Sequence, residues 1–330
     1  MTFLVGNLSM KSSAAVSGES DRRRNAVGVH SVDLFVFSVP DIDRAEHFYR
    51  AFGLDVERQG RRLDLYTFGH PHCWGHIYQE GTRKQLQYLR FGVFAEDWEA
   101  LRARIDGHGA SARAHPYADG EGVWARSPDG VLCQLVVAPK VSPSAKSHSA
   151  ASRSAPAGMG AAPTRSLVAP VRPRHFSHLL LFTPDVPLQL RFLTEVLGLR
   201  LSDRSGDIIA FLHGAHGSDH HLVALAKSQA PGLHHTSWDV ASIDEVGCGG
   251  EQMRAAGYRE GWGLGRHVLG SNYFQYVRDP WGSYVEYSFD IDFVPHDMDW
   301  RSGDYAPEDA LYVWGPPVPA DFTTNFEHVA

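Results

Sequence analysis

The sequence predicts an α+β protein of two tandem domains, each a pair of strand–helix–three-strand (βαβββ) modules. Three observations predict this. In the first half, short runs rich in aromatic and β-branched residues are punctuated by two helical stretches. A stretch rich in Ser, Ala and Pro, from 139 to 173, divides the chain. Beyond it the first half repeats, segment by segment.

Residues 1–27 read as a disordered tail, with the basic run Arg22-Arg23-Arg24 solvated. The first domain spans 28–138. Val32 to Val39 reads as a strand ended by Pro40-Asp41. Asp43 to Phe52 has helical spacing, with Ala45, Phe48, Tyr49 and Phe52 on one face. Asp41 or Asp43 is the candidate N-cap and Gly53 the C′ residue. Strands follow at Leu63 to Phe68, Trp74 to Gln79 and Leu86 to Phe94. A second helix covers about Asp97 to Gly107, and strands follow near Gly122 to Ala125 and Val131 to Val137. After the 139–173 linker comes a second domain, 174–292. The tail from 293 to 330 carries Trp300, Tyr305, Tyr312, Trp314 and Phe322, so it is expected to pack over the second domain and cover a pocket mouth.

The two halves align without changing order. DLFVFSVPD from Asp33 matches HLLLFTPD from His178; WGHIYQE matches DHHLVAL; LQYLRFGV matches LHHTSWDV; VWARSPDGVLCQLVVA matches QYVRDPWGSYVEYSFD. Where the second half has His178, His235 and Glu286, the first has Asp33, Tyr88 and Gln134. One half therefore reads as active and the other as degenerate.

Composition narrows the function. The chain has 330 residues, 43% hydrophobic and 21% charged, enough for two domains with real cores. A net charge of -7 argues against a nucleic-acid partner. No apolar run is long enough to cross a membrane, and the start lacks a signal-peptide pattern. Cys73, Cys133 and Cys248 are far apart, which fits reduced thiols in a cytoplasmic protein.

The 19 His residues are the unusual feature. After the tight turn Asp279-Pro280-Trp281-Gly282, the run Ser283 to Phe289 reads as an aromatic strand with Glu286 at its centre. A buried carboxylate needs a compensating partner. The candidates are His178, His220, His221, His234, His235 and His267. Two neutral imidazoles and one carboxylate form the facial triad of non-heme Fe(II) oxygenases.

These residues resemble a known family. The second half, from His175 to Asp290, is similar to type I extradiol ring-cleavage dioxygenases of the vicinal oxygen chelate superfamily. The resemblance rests on HLLLF, FLHGAHGSDHHLVAL, LHHTSWDV, the GRH at Gly265 to His267, and YVRDPWGSYVEY. It implies a fold of paired βαβββ modules cupped around a metal, with His178, His235 and Glu286 as ligands of Fe(II), or of Mn(II). It also implies His221 as the acid–base histidine, Tyr276 as a hydrogen-bond donor to an oxygen of the substrate, and His267 as its supporting neighbour. The implied substrates are a catechol-type diol and O2, the setting aromatic-compound catabolism, and the assembly a homo-oligomer. Biphenyl-diol members carry Asp where this chain has Gly270. The segment VLGSNYFQYVRDPWGSYVEYSFDIDFVP and the VWGPPVP tail resemble a subgroup acting on substituted catechols and trihydroxylated aromatics. Trp238, Phe274 and Trp262 are candidates to line an apolar pocket. The alternatives are a metal-dependent isomerase or lyase of the glyoxalase kind, which would need a fourth ligand, and a non-catalytic binder of small aromatics.

Overall fold

The computed structural model describes residues 21–150 and 155–328. In the first half, β1 (Ser31–Val39) leads into α1 (Ile42–Phe52), then β2 (Asp55–Gln59), β3 (Arg62–Tyr66), β4 (Gly75–Gln79) and β5 (Gln85–Val93). Next come α2 (Trp98–Gly107), β6 (Val123–Arg126) and β7 (Leu132–Val137). Helix α1 starts where Asp41 accepts from the Arg44 amide and stops at Gly53 (φ 99°), which satisfies orphan groups at both ends. Strand β2 is absent from the sequence reading. Only Val56 of its five residues is buried, so no alternating apolar signal marks this short strand.

The second half contains β8 (His175–Thr183), α3 (Val186–Arg191), β9 (Arg200–Ser205), β10 (Ile209–His213), β11 (Ser218–Asp219), β12 (Val223–Lys227) and β13 (Gly232–Asp239). It continues through α4 (Ile243–Ala255), β14 (Gly261–His267), β15 (Tyr273–Arg278) and β16 (Tyr284–Phe289). The C-terminal segment adds β17 (Phe293–Val294), β18 (Gly303–Asp304), α5 (Pro307–Ala310) and β19 (Tyr312–Trp314).

Two sheets result. The first runs β2-β3-β4-β1-β5-β7-β6 and the second β18-β9-β10-β12-β8-β13-β16-β15-β14-β19. Apart from the strands β18, β14 and β19, the second order repeats the first strand for strand. This is the duplicated α+β architecture that the repeats predict. One core serves both halves: Phe35 packs against Phe176 and Trp238, and Phe52 stacks on Tyr287 at 3.9 Å. The Tyr287 hydroxyl donates to the Phe52 carbonyl at 2.8 Å. Near the C-terminus the buried Glu327 accepts the Leu86 amide at 3.1 Å and the Leu233 amide at 2.9 Å. These two amides occupy equivalent positions in the repeats, so one carboxylate joins matching strands.

Several expectations need revision. Residues 1–20 of the expected tail lie outside the described residues. Arg22 and Arg23 are not a solvated run: Arg22 pairs with the buried Asp97, and Arg23 with Asp299. Ala26 is buried. The 139–173 stretch is docked at both ends: Ser142 bonds Ser31 and the His30 carbonyl, and the buried Val171 amide bonds Gln252. Composition hid these contacts because they rest on a few hydrogen bonds and on isolated apolar residues, Val141 and Val171, that join the core from a Ser-, Ala- and Pro-rich stretch. Residues 151–154 lie outside the described set. None of the described helices is long and apolar enough to cross a membrane.

Candidate metal centre

The site is built on one cross-strand row. In register, His178 of β8 faces Ser237 of β13, Ser237 faces Glu286 of β16, and Glu286 faces Tyr276 of β15. Strand alternation places His235 two residues from Ser237 on the same face. His178, His235 and Glu286 are buried, and one ligand atom from each lies within 4.8 Å of the others. The Glu286 Oε2 is 3.2 Å from His178 Nε2 and 3.6 Å from His235 Nε2.

Each imidazole is turned by its other nitrogen. His178 Nδ1 bonds Ser177 Oγ at 3.1 Å, and that hydroxyl donates to Asp219 at 3.0 Å. His235 Nδ1 bonds His234 Nδ1 at 2.6 Å, and His234 Nε2–H donates to the Phe322 carbonyl at 2.8 Å. His235 Nε2 and Glu286 Oε2 are then left buried with no hydrogen-bond partner. Orphaned buried polar atoms are costly. A divalent cation among them resolves the orphans, so the donor set fits a metal. Two nitrogens and one oxygen on one side suit Fe(II) or Mn(II), with positions left open.

Burial and the neighbouring imidazoles push the His221 and His235 pKa values well below the usual histidine value. Burial alone would raise the Glu286 carboxyl, but the facing His178 and His267 imidazoles, with Ser237, together hold it below the usual value. Burial beside Glu286 holds the Tyr276 hydroxyl protonated, far above the usual tyrosine value.

Residues expected around the metal come together. His221 lines the same cavity, its ring centroid 4.0 Å from that of His178. The Tyr276 hydroxyl is 2.9 Å from His267 Nε2, and His267 Nδ1 bonds the Leu311 carbonyl at 2.8 Å. A carbonyl only accepts, so Nδ1 carries the imidazole proton. Tyr276 therefore donates to His267 in the neutral pair, and its lone pairs are left for the cavity. The sequence reading made Tyr276 a donor to substrate; this hydrogen bond commits its proton elsewhere in the resting site.

The cavity is about 220 Å³. Leu180, Ile209, Phe211, Leu269, Leu311 and Phe322 form its walls. Trp238, Trp262 and Phe274, candidates for its lining, lie in the hydrophobic cores, the more usual place for such residues. Residues from Pro307 to Thr323 supply one side, so the C-terminal segment is part of the wall. Gly270 adopts φ 88°, and a Cβ there would meet His221 at 3.3 Å. Asp292, bonded by Ser271 at 2.6 Å, supplies a carboxylate next to this loop instead.

The first half fills its own cup. Arg90, at the position of Ser237, pairs with Asp33 at 2.6 Å, and Leu34, Val36, Tyr88 and Trp124 pack the interior. A guanidinium thus compensates the aspartate that stands in place of His178. A second cluster, Asp64, Cys73 and His76, lies in this half. There Arg62 closes on Asp64 at 2.7 Å, and His76 Nδ1 lies 2.7 Å from the same carboxylate. Its charge is already compensated.

Comparison with known proteins decides the family. The model of the Glyoxalase/Bleomycin resistance protein/Dioxygenase superfamily matches residues 175–287. The chain is 50% identical to metapyrocatechase 2 of Cupriavidus necator, over 96% of this chain and 98% of that protein. This chain belongs to the glyoxalase/bleomycin resistance/dioxygenase superfamily. Among solved structures, the Mn(II)-bound glyoxalase from Novosphingobium aromaticivorans is 25% identical, with a TM-score of 0.69, covering 88% of this chain and 95% of that one. A mutant of homoprotocatechuate 2,3-dioxygenase from Brevibacterium fuscum is 18% identical, with a TM-score of 0.71, covering 93% and 85%; it supports the fold. The superfamily fold is the one expected from the paired βαβββ modules.

Proposed function

We propose that this protein is a metal-dependent extradiol dioxygenase that opens the ring of a catechol-type substrate beside the diol, using O2. The near full-length identity to a metapyrocatechase supports the reaction class. The single structural observation that carries the reading is the buried pair of orphaned atoms, His235 Nε2 and Glu286 Oε2, beside His178, where the two histidines line a largely apolar cavity. The alternative of the glyoxalase kind needs a fourth donor, and the cluster among the described residues has three.

His178, His235 and Glu286 would hold the metal, with Fe(II) as the proposed ion. When bound, it supplies a Lewis acid that brings diol and O2 onto one centre. One carboxylate against a divalent ion leaves a net charge of +1, which favours an anionic diolate. His221 takes a diol proton and later returns it, since a neutral imidazole can act in both directions. Tyr276, fixed by His267, offers oxygen lone pairs that accept a substrate hydroxyl. The apolar walls exclude water from the reacting centre.

The cavity size points to a substrate class. A dry cavity of about 150 Å³ holds one benzene ring. The 220 Å³ here adds room for two oxygens and a small apolar substituent, with little space for a second ring. Lys227 is the one lysine or arginine in the lining, and its side chain is exposed. The proposed substrate is therefore catechol or a small alkyl- or halo-catechol. The test is oxygen uptake by iron-loaded protein with a panel of catechol, methylcatechols, biphenyl-diols and trihydroxybenzenes. Uptake with yellow ring-opened product from the single-ring diols is expected. No uptake with any diol would overturn the reading.

A further inference from the structure

The chain contains two adjacent histidine pairs, His220-His221 and His234-His235, and both are wired alike. In each, the two Nδ1 atoms face each other, and the outer residue's Nε2 bonds a group beyond. For His234 that group is a carbonyl, next to a proposed metal ligand. For His220 it is a carboxylate: His220 Nε2 is 2.8 Å from Asp203 Oδ2, and His220 Nδ1 is 3.0 Å from His221 Nδ1. His220 is fully buried, and Asp203 and His221 nearly so.

With both imidazoles neutral, only one arrangement of protons satisfies this chain of bonds. The Gly303 amide donates to Asp203 Oδ1 at 2.7 Å, and the Trp300 indole N–H to Oδ2 at 3.3 Å. Both of those groups only donate, so Asp203 is an acceptor on each oxygen. His220 must then carry its proton on Nε2. Neutral His220 presents a bare Nδ1, so the proton between the rings belongs to His221 Nδ1. The Nε2 of His221 is left as a lone pair, on a residue that lines the cavity.

We propose that Asp203 and His220 are positioning residues that lock His221 in the tautomer able to accept a substrate proton. This rests on the reading of His221 as the acid–base group. When His221 Nε2 takes the proton, the imidazolium keeps donating through Nδ1 to His220, whose other end stays on the carboxylate. Charge is thus compensated through the relay without any proton leaving it. The degenerate half supports the link. At the position of His220 it has Gly75, and His76, in place of His221, lies directly beside a carboxylate, 2.7 Å from Asp64.

The substitution that separates positioning from support is Asp203→Asn. One end of the amide now donates. With its oxygen kept on the Gly303 amide, its N–H₂ faces His220 and drives the proton onto the opposite nitrogen of both rings. His221 then carries its proton on Nε2 and has nothing to accept with. Two-bond ¹⁵N–¹H spectra of the zinc-loaded, ¹⁵N-histidine-labelled protein read the tautomer without activity; His221 is assigned by its absence in His221→Gln. Wild type should show His221 protonated on Nδ1, and Asp203→Asn should show it on Nε2. In the iron-loaded enzyme, Asp203→Asn should lower kcat for catechol at least ~10²-fold with KM within about threefold, on the scale of a tautomer-setting aspartate in a hydrolase triad. Asp203→Glu should retain the Nδ1 form and most of the rate. A wild-type spectrum with His221 protonated on Nε2 overturns the proposal, whatever the variants do. So does an Asp203→Asn enzyme with unchanged kcat, or one whose loss Asp203→Glu shares equally. If wild type shows the Nδ1 form yet opens no catechol, the positioning stands and the proposed function fails.

Discussion

Glutamate 286 gives the sharpest test of the metal centre. Its Oε1 is held by the Asn272 amide at 3.1 Å, while Oε2 lies free among His178 and His235. Glu286→Gln keeps the shape and the Asn272 contact but removes the only anionic donor of the three. The site would then hold a divalent ion at net +2 with two nitrogens, and affinity should fall by orders of magnitude. The effect on stability follows from linkage. A ligand at 100 times its Kd stabilises the folded state by about 2.7 kcal/mol. Unfolding entropy near 2.1 cal/mol/K per residue, over 330 residues, is about 0.7 kcal/mol/K. Saturating iron should therefore raise the Tm of the wild type by about 4 °C and leave Glu286→Gln unmoved. Calorimetry with and without Fe(II) under anaerobic conditions, alongside iron content, makes the measurement. Equal shifts in both proteins, or none in wild type, would refute the three-donor site.

Three further outcomes follow from particular contacts. Tyr276→Phe deletes the hydroxyl that His267 fixes at 2.9 Å. A substrate hydroxyl left without its acceptor costs about 1–3 kcal/mol, so kcat/KM on catechol should fall roughly 10- to 10²-fold in steady-state oxygen uptake. Burial pushes the Asp219 carboxyl from 3.8 up to about 7. The folded state then holds a proton that the unfolded state releases, so stability falls as pH rises between those values, by up to about 4 kcal/mol. Urea titrations should show this slope in wild type and a flatter one in Asp219→Asn. Glu327→Ala leaves the Leu86 and Leu233 amides unbonded, at about 1–3 kcal/mol each. A midpoint loss equivalent to roughly 2–6 kcal/mol is expected, and an unchanged midpoint would show that water replaces the carboxylate.

The repeat carried most of what the sequence determined. Apolar and β-branched composition placed β1, β5 and β16, and period-3.6 spacing placed α1, close to their ends, because β1 and β16 are buried along nearly their whole length and α1 buries one face. The swap of His178, His235 and Glu286 for Asp33, Tyr88 and Gln134 singled out one half. What failed did so for want of a local signal. Strand β2 buries a single residue, and Arg22 finds Asp97 at 75 residues' distance. Trp238 and Trp262 look alike in sequence whether they face a core or a pocket; only packing decides. The direction of the Tyr276 proton depends on the Leu311 carbonyl, and the tautomer of His221 on Asp203, Trp300 and Gly303. Residue type and spacing determined which groups could meet at the site. Which nitrogen carries each proton was left to the tertiary fold, because hydrogen-bond direction is set by partners that the chain brings in from far away.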